Sequence, residues 1–244
     1  MEFSICSVNT LPTLVVLAGG KGTRLKSVVN DRPKVLAKIN GVPFIQHLLT
    51  WCQKQGITRI HFCLGYRAEQ VIRWLREENK SQIAVSWQVE KEARGTGGAI
   101  CDAISYLESK HECTEILVCN GDTFVEFEVE QFVSTSQVCG GGILTTTVDN
   151  ASRFGAIKKS QGLLTSFVEK EEKQEEGEIN AGWYYLGKSH LDTLRVRAIF
   201  SFEREYLMDL SRPPIQCINK GSNFLDFGTP ESYLHAQFIF QELL

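Results

Sequence analysis

An α/β fold built on a doubly wound sheet is the prediction of this chain's pattern, and three observations carry it. Short apolar runs rich in β-branched residues alternate with stretches of helical spacing up to about residue 140. The first of these runs opens directly into a glycine-rich loop, and beyond residue 140 the pattern changes to closely spaced strands separated by turns. The 244 residues are 43% hydrophobic and 23% charged, which fits one domain with a substantial core.

Residues 14–17 are an apolar run of the kind buried in a parallel sheet, so the loop after them emerges at the strand's carboxyl end, where open α/β sheets bind ligands. Residues 44–56 show helical spacing at Ile45, Leu48, Leu49 and Cys52 and close on a glycine. A strand over 59–64, a helix over 68–78 and a strand over 83–89 follow. Gly95-Thr-Gly-Gly98 opens a helix through 107, and a strand over 115–119 ends in Asn120-Gly-Asp122. The second half reads as an α+β lobe of shorter strands at 142–148, 156–159, 163–169 and 179–186. Residues 169–178 form a charge-dense, solvated loop, and 230–244 a closing helix with proline in its first turn. The expected organisation is a single domain over 1–244, with a first half of about 12–140 and a second of about 141–244.

Net charge is −3, so no general basic surface recruits nucleic acid, and any phosphate-binding cations must be local. The eight cysteines (6, 52, 63, 101, 113, 119, 139 and 217) contain no C-x-x-C pair and read as buried thiols. No basic segment followed by an apolar run opens the chain, and no eighteen apolar residues run together, which gives a reducing cytoplasm as the expected compartment and no membrane partner. His47, His61, His111, His190 and His235 make no close-spaced ligand set and read as core or surface residues.

In the loop, Gly19, Gly20 and Gly22 remove the Cβ atoms that would keep backbone N–H groups from a phosphate, and Lys21, Arg24 and Lys34 supply charge. A polyanion is expected there. A P-loop needs Ser or Thr directly after its lysine, whereas Gly22 follows Lys21; a dinucleotide fingerprint needs a glycine at position 25, which is Leu.

The run Leu17-Ala-Gly-Gly-Lys-Gly-Thr-Arg-Leu25, with Pro33-Lys34 behind it, resembles the signature of the sugar-phosphate nucleotidyltransferases. That resemblance implies a Rossmann-like mixed sheet of the nucleotidyltransferase (GT-A-like) type with an α+β sugar-binding lobe. It implies a nucleotide held by Leu17, Ala18, Gly19, Gly20, Lys21, Gly22, Thr23, Gly95, Thr96 and Gly121. Arg24 and Lys34 would be catalytic, neutralising the phosphates as pyrophosphate leaves. The attacking oxygen belongs to an already anionic sugar 1-phosphate, so no general base is required.

Asp122 and Asp226 each stand where a strand ends, and each alone is an ordinary cap or turn residue. Together they would suit magnesium, which takes one or two carboxylates plus substrate phosphates, and the resemblance implies that they are the Mg2+ ligands. It further implies Lys170 on the sugar phosphate, with Glu169, Asn180 and the Gly155 backbone N–H on sugar hydroxyls, from the stretches Phe154-Gly155, Phe167-Val-Glu-Lys170 and Ile179-Asn-Ala-Gly-Trp-Tyr184.

Base choice turns on residues 88–98. Guanine presents N1–H and N2–H₂ donors that a carboxylate accepts in pairs, whereas a pyrimidine suits an amide. Glu90 favours GTP, and Gln88 keeps pyrimidine nucleotides open; Arg94 either contacts a phosphate or ribose or faces water. The Glu-Lys-Glu before Gly95 resembles the guanylyltransferases. Ser27 after Arg24-Leu-Lys, the Gly-Thr-Gly-Gly segment and the Ser201-Phe-Glu203 run resemble, among these, the D-glycero-α-D-manno-heptose 1-phosphate enzymes. GTP and heptose 1-phosphate are then the expected substrates and GDP-heptose the product, feeding polysaccharide biosynthesis. Mannose 1-phosphate guanylyltransfer, uridylyltransfer and a non-catalytic nucleotide-sugar-binding regulatory subunit are the alternatives. Val35 stands where a proline often follows Pro33-Lys34. The sequence leaves a homodimer open.

Overall fold

The computed structural model describes residues 10–110, 113–151, 154, 156–168, 176–195 and 199–242. In chain order, β1 is Thr13–Ala18, β2 Lys38–Ile39, β3 Val42–Pro43, α1 Phe44–Lys54, β4 Arg59–Leu64, α2 Ala68–Glu77, β5 Ala84–Val89, α3 Gly95–Glu108 and β6 Glu115–Asn120. Then come β7 Thr123–Glu126, α4 Val129–Gln137, β8 Gly141–Val148, β9 Ala156–Ser160, β10 Leu163–Val168, β11 Gly177–Gly187, α5 Lys188–Leu194, β12 Gln216–Asn219, β13 Ser222–Asp226 and α6 Pro230–Glu242.

Nine strands form one mixed sheet in the order β5-β4-β1-β6-β11-β8-β12-β10-β9. The first four are parallel, with Leu14 opposite Ile60 on one side and Leu117 on the other. β11 runs antiparallel to β6, pairing Trp183 with Cys119, and joins the parallel half to the later strands. The second half therefore extends the same sheet. Its central strand β11 is eleven residues long, not the short strand expected over 179–186.

Alternation along the strands builds two cores. Leu14 and Val16 face one side with Leu117, Cys119, Trp183 and Tyr185, under α1, α2, α4 and α6. Val15 faces the other with Ile116, Val118, Tyr184 and Leu186, under α3, α5 and a π-helical turn at Phe202–Tyr206. The first core is rich in rings: Trp51, Phe127 and Trp183 meet pairwise with centroids 5.1–5.5 Å apart. α1 ends as its closing glycine predicts, with Gly56 left-handed (φ 79) and Ile57 N–H donating to Cys52 O at 3.0 Å.

Elements with the longest apolar periodicity stand within about two residues of their expected ends. The short ones, β2, β3, β7, β12, α5 and the π-helical turn, were not legible, and neither was α4, whereas the strand ending at Asp226 is β13. Among the described residues no helix is long and apolar enough to cross a membrane and the cysteines are free, with five of them buried; Cys6 lies outside those residues. His47, His61 and His190 are core residues and His235 is exposed; His111 lies outside the described residues.

His190 is fully buried, with Nδ1 on the Tyr206 hydroxyl at 2.7 Å and Nε2 on the Pro214 carbonyl at 3.1 Å. Burial brings its pKa down to about 4, aided by the Arg212 charge and opposed by the Pro214 carbonyl. The native state thus holds the neutral ring, so His190 stabilises fully above its unfolded value near 6.5 and this is lost as pH falls toward 4. Urea unfolding at pH 7 and pH 4 is expected to show about 3 kcal/mol more loss in the native protein than in His190→Gln. Equal losses in the two would mean that the ring is protonated in the fold.

Candidate active site

The carboxyl ends of β1, β4 and β6 open on a cleft of about 980 Å³. Leu17, Ala18, Gly19, Gly20, Lys21, Gly22, Thr23, Arg24, Lys34, Glu90, Gly95, Thr96, Gly121, Asp122, Asn180 and Asp226 all line it. Gly155, Glu169 and Lys170 lie outside the described residues.

β1 leaves the sheet through Gly19 and Gly20, and Gly22, left-handed at φ 57, starts the 3-10 turn Thr23–Leu25. A Cβ on Gly22 would stand 2.9 Å from Lys34 Cγ, so this glycine both reverses the chain and lets the lysine pass. Leu25 anchors one turn in the core, and Val35 and Leu36 anchor the next, Lys34–Leu36. Val35 thus serves as a buried anchor where a proline was the usual residue. Lys34 Nζ donates to Asp122 Oδ2 at 2.7 Å, and its side chain is 14% exposed. Lys21 and Arg24 are exposed at the loop and form no ion pair among the described residues.

The two aspartates are brought together by a ribbon. β7 pairs antiparallel with β13 so that Thr123 lies opposite Asp226, which sets Asp226 beside Asp122 across about a hundred residues of chain. Burial, then the Asp122 charge, pushes the Asp226 carboxyl up; the Gly228 N–H, donating to Oδ1 at 2.7 Å, and the Lys34 and Arg24 charges pull it back. No third His, Cys, Asp or Glu completes a cluster among the described residues. Two hard carboxylates that repel each other suit a divalent cation whose remaining coordination comes from water and phosphate oxygens.

At the other end, Glu90 follows β5, and its N–H donates to Leu64 O at 2.8 Å. A Cβ on Gly19 would lie 3.3 Å from Glu90 Oε2, so the bare glycine leaves room for the carboxylate. Glu90 Oε1 is buried with no hydrogen-bond partner among the described residues, and burial followed by the Asp102 charge pushes this carboxyl up, against the Arg94 charge. Gln88 is not among the residues that line the cleft. Its Nε2 donates to Ala99 O at 3.0 Å and its Oε1 meets His61 Nε2 at 3.2 Å. Arg94, open in the sequence between a ligand contact and solvent, pairs with Asp102 on α3.

Gly95 and Gly97 also pack. A Cβ on Gly95 (φ 74) would fall 2.4 Å from Phe200 O, and one on Gly97 2.1 Å from the Phe200 ring. Thr96 Oγ1 donates to Glu203 Oε2 at 2.6 Å and accepts from Phe202 N–H at 2.9 Å. On β11, Asn180 Oδ1 accepts from Gly182 N–H at 2.9 Å and Nδ2 donates to the Tyr184 hydroxyl at 2.7 Å. Gly65, Tyr66, Phe224 and Glu203 also line the cleft. Gly65 was missed in the sequence, although a glycine at a strand's carboxyl end is a signal that could have found it. Phe224 and Glu203 sit on elements with no periodic signal, although Glu203 belongs to the run noted in the sequence.

A model of the nucleotidyl transferase family matches residues 13–242. The D-glycero-α-D-manno-heptose 1-phosphate guanylyltransferase of Campylobacter jejuni is 31% identical over 223 residues, 91% of this chain and 96% of that one. Among solved structures, HddC from Yersinia pseudotuberculosis superposes with a TM-score of 0.84 at 35% identity, covering 94% of this chain and 100% of its own. The same protein complexed with GMP-PN gives 0.83 at 34%, with the same coverage. The family match begins at the first residue of β1 and ends at the last of α6, so the sheet and both its helical layers fall within it, and the chain belongs to the nucleotidyl transferase family as a nucleotidyltransferase enzyme.

Proposed function

We propose that the chain transfers GMP from GTP to D-glycero-α-D-manno-heptose 1-phosphate in the presence of Mg2+, giving GDP-heptose and pyrophosphate. The observation that carries the choice of base is the buried, unpartnered Oε1 of Glu90. Leaving such an atom without a donor is costly, and the N1–H and N2–H₂ of guanine supply two donors on one edge. Gln88, the side chain that suited a pyrimidine, has its amide taken up by Ala99 and His61. The Campylobacter relative and the HddC complex with GMP-PN support the same base, and the first of these supports the heptose.

With guanine at Glu90, the triphosphate extends over the glycine loop toward Lys21, Arg24 and Lys34. A phosphate oxygen of the sugar 1-phosphate attacks the α-phosphorus in line, and the bond to the bridging oxygen breaks as pyrophosphate leaves. Backbone N–H groups of the loop and the Arg24 and Lys34 cations meet the charge that develops on the departing group. Asp122 and Asp226 would hold Mg2+, which when bound neutralises phosphate charge and orients the reacting groups. Lys34 orients Asp122 through their 2.7 Å bond. Asn180 retains a second Nδ2 hydrogen for a sugar hydroxyl. Lys170, Glu169 and the Gly155 N–H are assigned to the sugar phosphate and its hydroxyls on the resemblance of their stretches alone.

Pyrophosphate release with Mg2+ is to be measured for GTP, UTP, CTP, ATP and dTTP crossed with heptose, mannose, glucose and N-acetylglucosamine 1-phosphates. Turnover is expected only for GTP with heptose 1-phosphate, and Glu90→Gln is expected to lower kcat/KM for GTP about 10- to 100-fold. A preference for UTP would remove Glu90 as the base reader. Binding of GDP-sugar without any release would make the chain a regulatory subunit.

Asp122→Asn and Asp226→Asn should each reduce pyrophosphate release about 100-fold or more, with thermal unfolding still cooperative. Full activity in either variant would end that residue's assignment to the metal.

A further inference from the structure

Glu203 is a half-buried carboxylate in the wall of the cleft, on the π-helical turn Phe202–Tyr206. It faces a site whose cations serve phosphates, yet among the described residues it pairs with no cation. Its Oε2 is held by neutral donors, the Thr96 hydroxyl at 2.6 Å and the Ser201 hydroxyl at 3.2 Å. The Phe202 N–H donates to Thr96 Oγ1, which directs the threonine proton onto the carboxylate. Three polar groups thus orient one oxygen, and a carboxylate's two oxygens offer about four acceptor positions. The acceptors left over are suited to hydroxyl groups. A phosphate there would be repelled.

Glu203 spans from the start of α3, where Thr96 holds it, toward β11. Across the sheet, Glu90 follows β5, the phosphate loop follows β1, Asp122 follows β6, and Asn180 lies on β11, the next strand. Phe202 packs on Tyr184 of β11 with ring centroids 5.0 Å apart, and the Glu203 charge adds to burial in pushing the Tyr184 hydroxyl up. Tyr184 in turn takes the Asn180 amide at 2.7 Å. Glu203 therefore stands on the side of the cleft that receives the acceptor.

Resting on the transfer reaction proposed above, we propose that Glu203 is a specificity-determining residue that accepts a hydrogen bond from a ring hydroxyl of the sugar 1-phosphate, held in place by Thr96 and Ser201. The hydroxyls of the nucleotide's ribose present the same chemistry, and the test distinguishes the two sources. Glu203→Gln keeps the shape and an acceptor for Thr96 but removes the charge.

Binding is measured first, without turnover. Heptose 1-phosphate and mannose 1-phosphate are titrated into the full chain loaded with Mg2+ and a non-hydrolysable GTP analogue, and the analogue is titrated alone. Glu203→Gln is expected to weaken the sugar phosphate that the native protein binds about 10- to 100-fold and to leave the GTP analogue unchanged. Singly deoxygenated sugar 1-phosphates then close the cycle: the one lacking the recognised hydroxyl binds the native protein weakly and loses nothing further in the variant.

Loss confined to the GTP analogue, and abolished with its 2′- or 3′-deoxy form, would assign Glu203 to the ribose and overturn the proposal. Unchanged binding of both ligands, or equal further loss for every deoxy sugar, would make Glu203 a structural residue and overturn it as well. A native protein that binds both substrates without releasing pyrophosphate would sink the transfer reaction and leave the Glu203 result standing.

Discussion

The cleft depends on the parallel pairing of β1 with β4 and β6, because that pairing brings three strand ends to one edge of the sheet. From it follow the close backbone contacts that shape the floor: Tyr66 N–H to Gly19 O at 3.0 Å and Gly121 N–H to Leu17 O at 2.9 Å. A Cβ on Gly121 would stand 2.7 Å from Leu17 O, so the two loops touch as backbone. On this floor Lys34 reaches Asp122, joining the cationic loop after β1 to the acidic turn after β6. Removing either charge leaves the other half-buried and unpaired, so loop position and carboxylate position are coupled.

The second half adds to this frame instead of standing apart from it. β11 carries Asn180 past the end of β6 while its central residues fill both cores, Trp183 on one face and Tyr184 on the other. The β7–β13 ribbon returns the end of the chain to the acidic turn, and Phe227, just after it, packs on Phe44 with ring centroids 4.5 Å apart. Site and core are thus built by the same segments, with apolar residues fixing where the charged ones stand.

Legibility followed the range of the interactions. Strand β4 and the helices α1, α2 and α3 announce themselves by periodicity and caps, which are local. The loop from Leu17 to Lys34 was legible because its glycines, cations and spacing are local too. Gln88 and Glu90 were both open as base readers. Contacts with His61, 27 residues back in the chain, and with Ala99 take up the Gln88 amide. The Arg94 pair with Asp102 likewise belongs to the fold and not to spacing.

The sequence by itself determined the fold class, the family and the glycine-rich cationic loop, since each is written in neighbouring residues whose chemistry does not wait on the rest of the chain. Only the tertiary structure decided that Asp226 meets Asp122, that Gln88 turns inward, and that Glu203 stands in the cleft wall. Those outcomes rest on strand register and on side chains competing for partners far along the chain, and neither spacing nor composition carries that information.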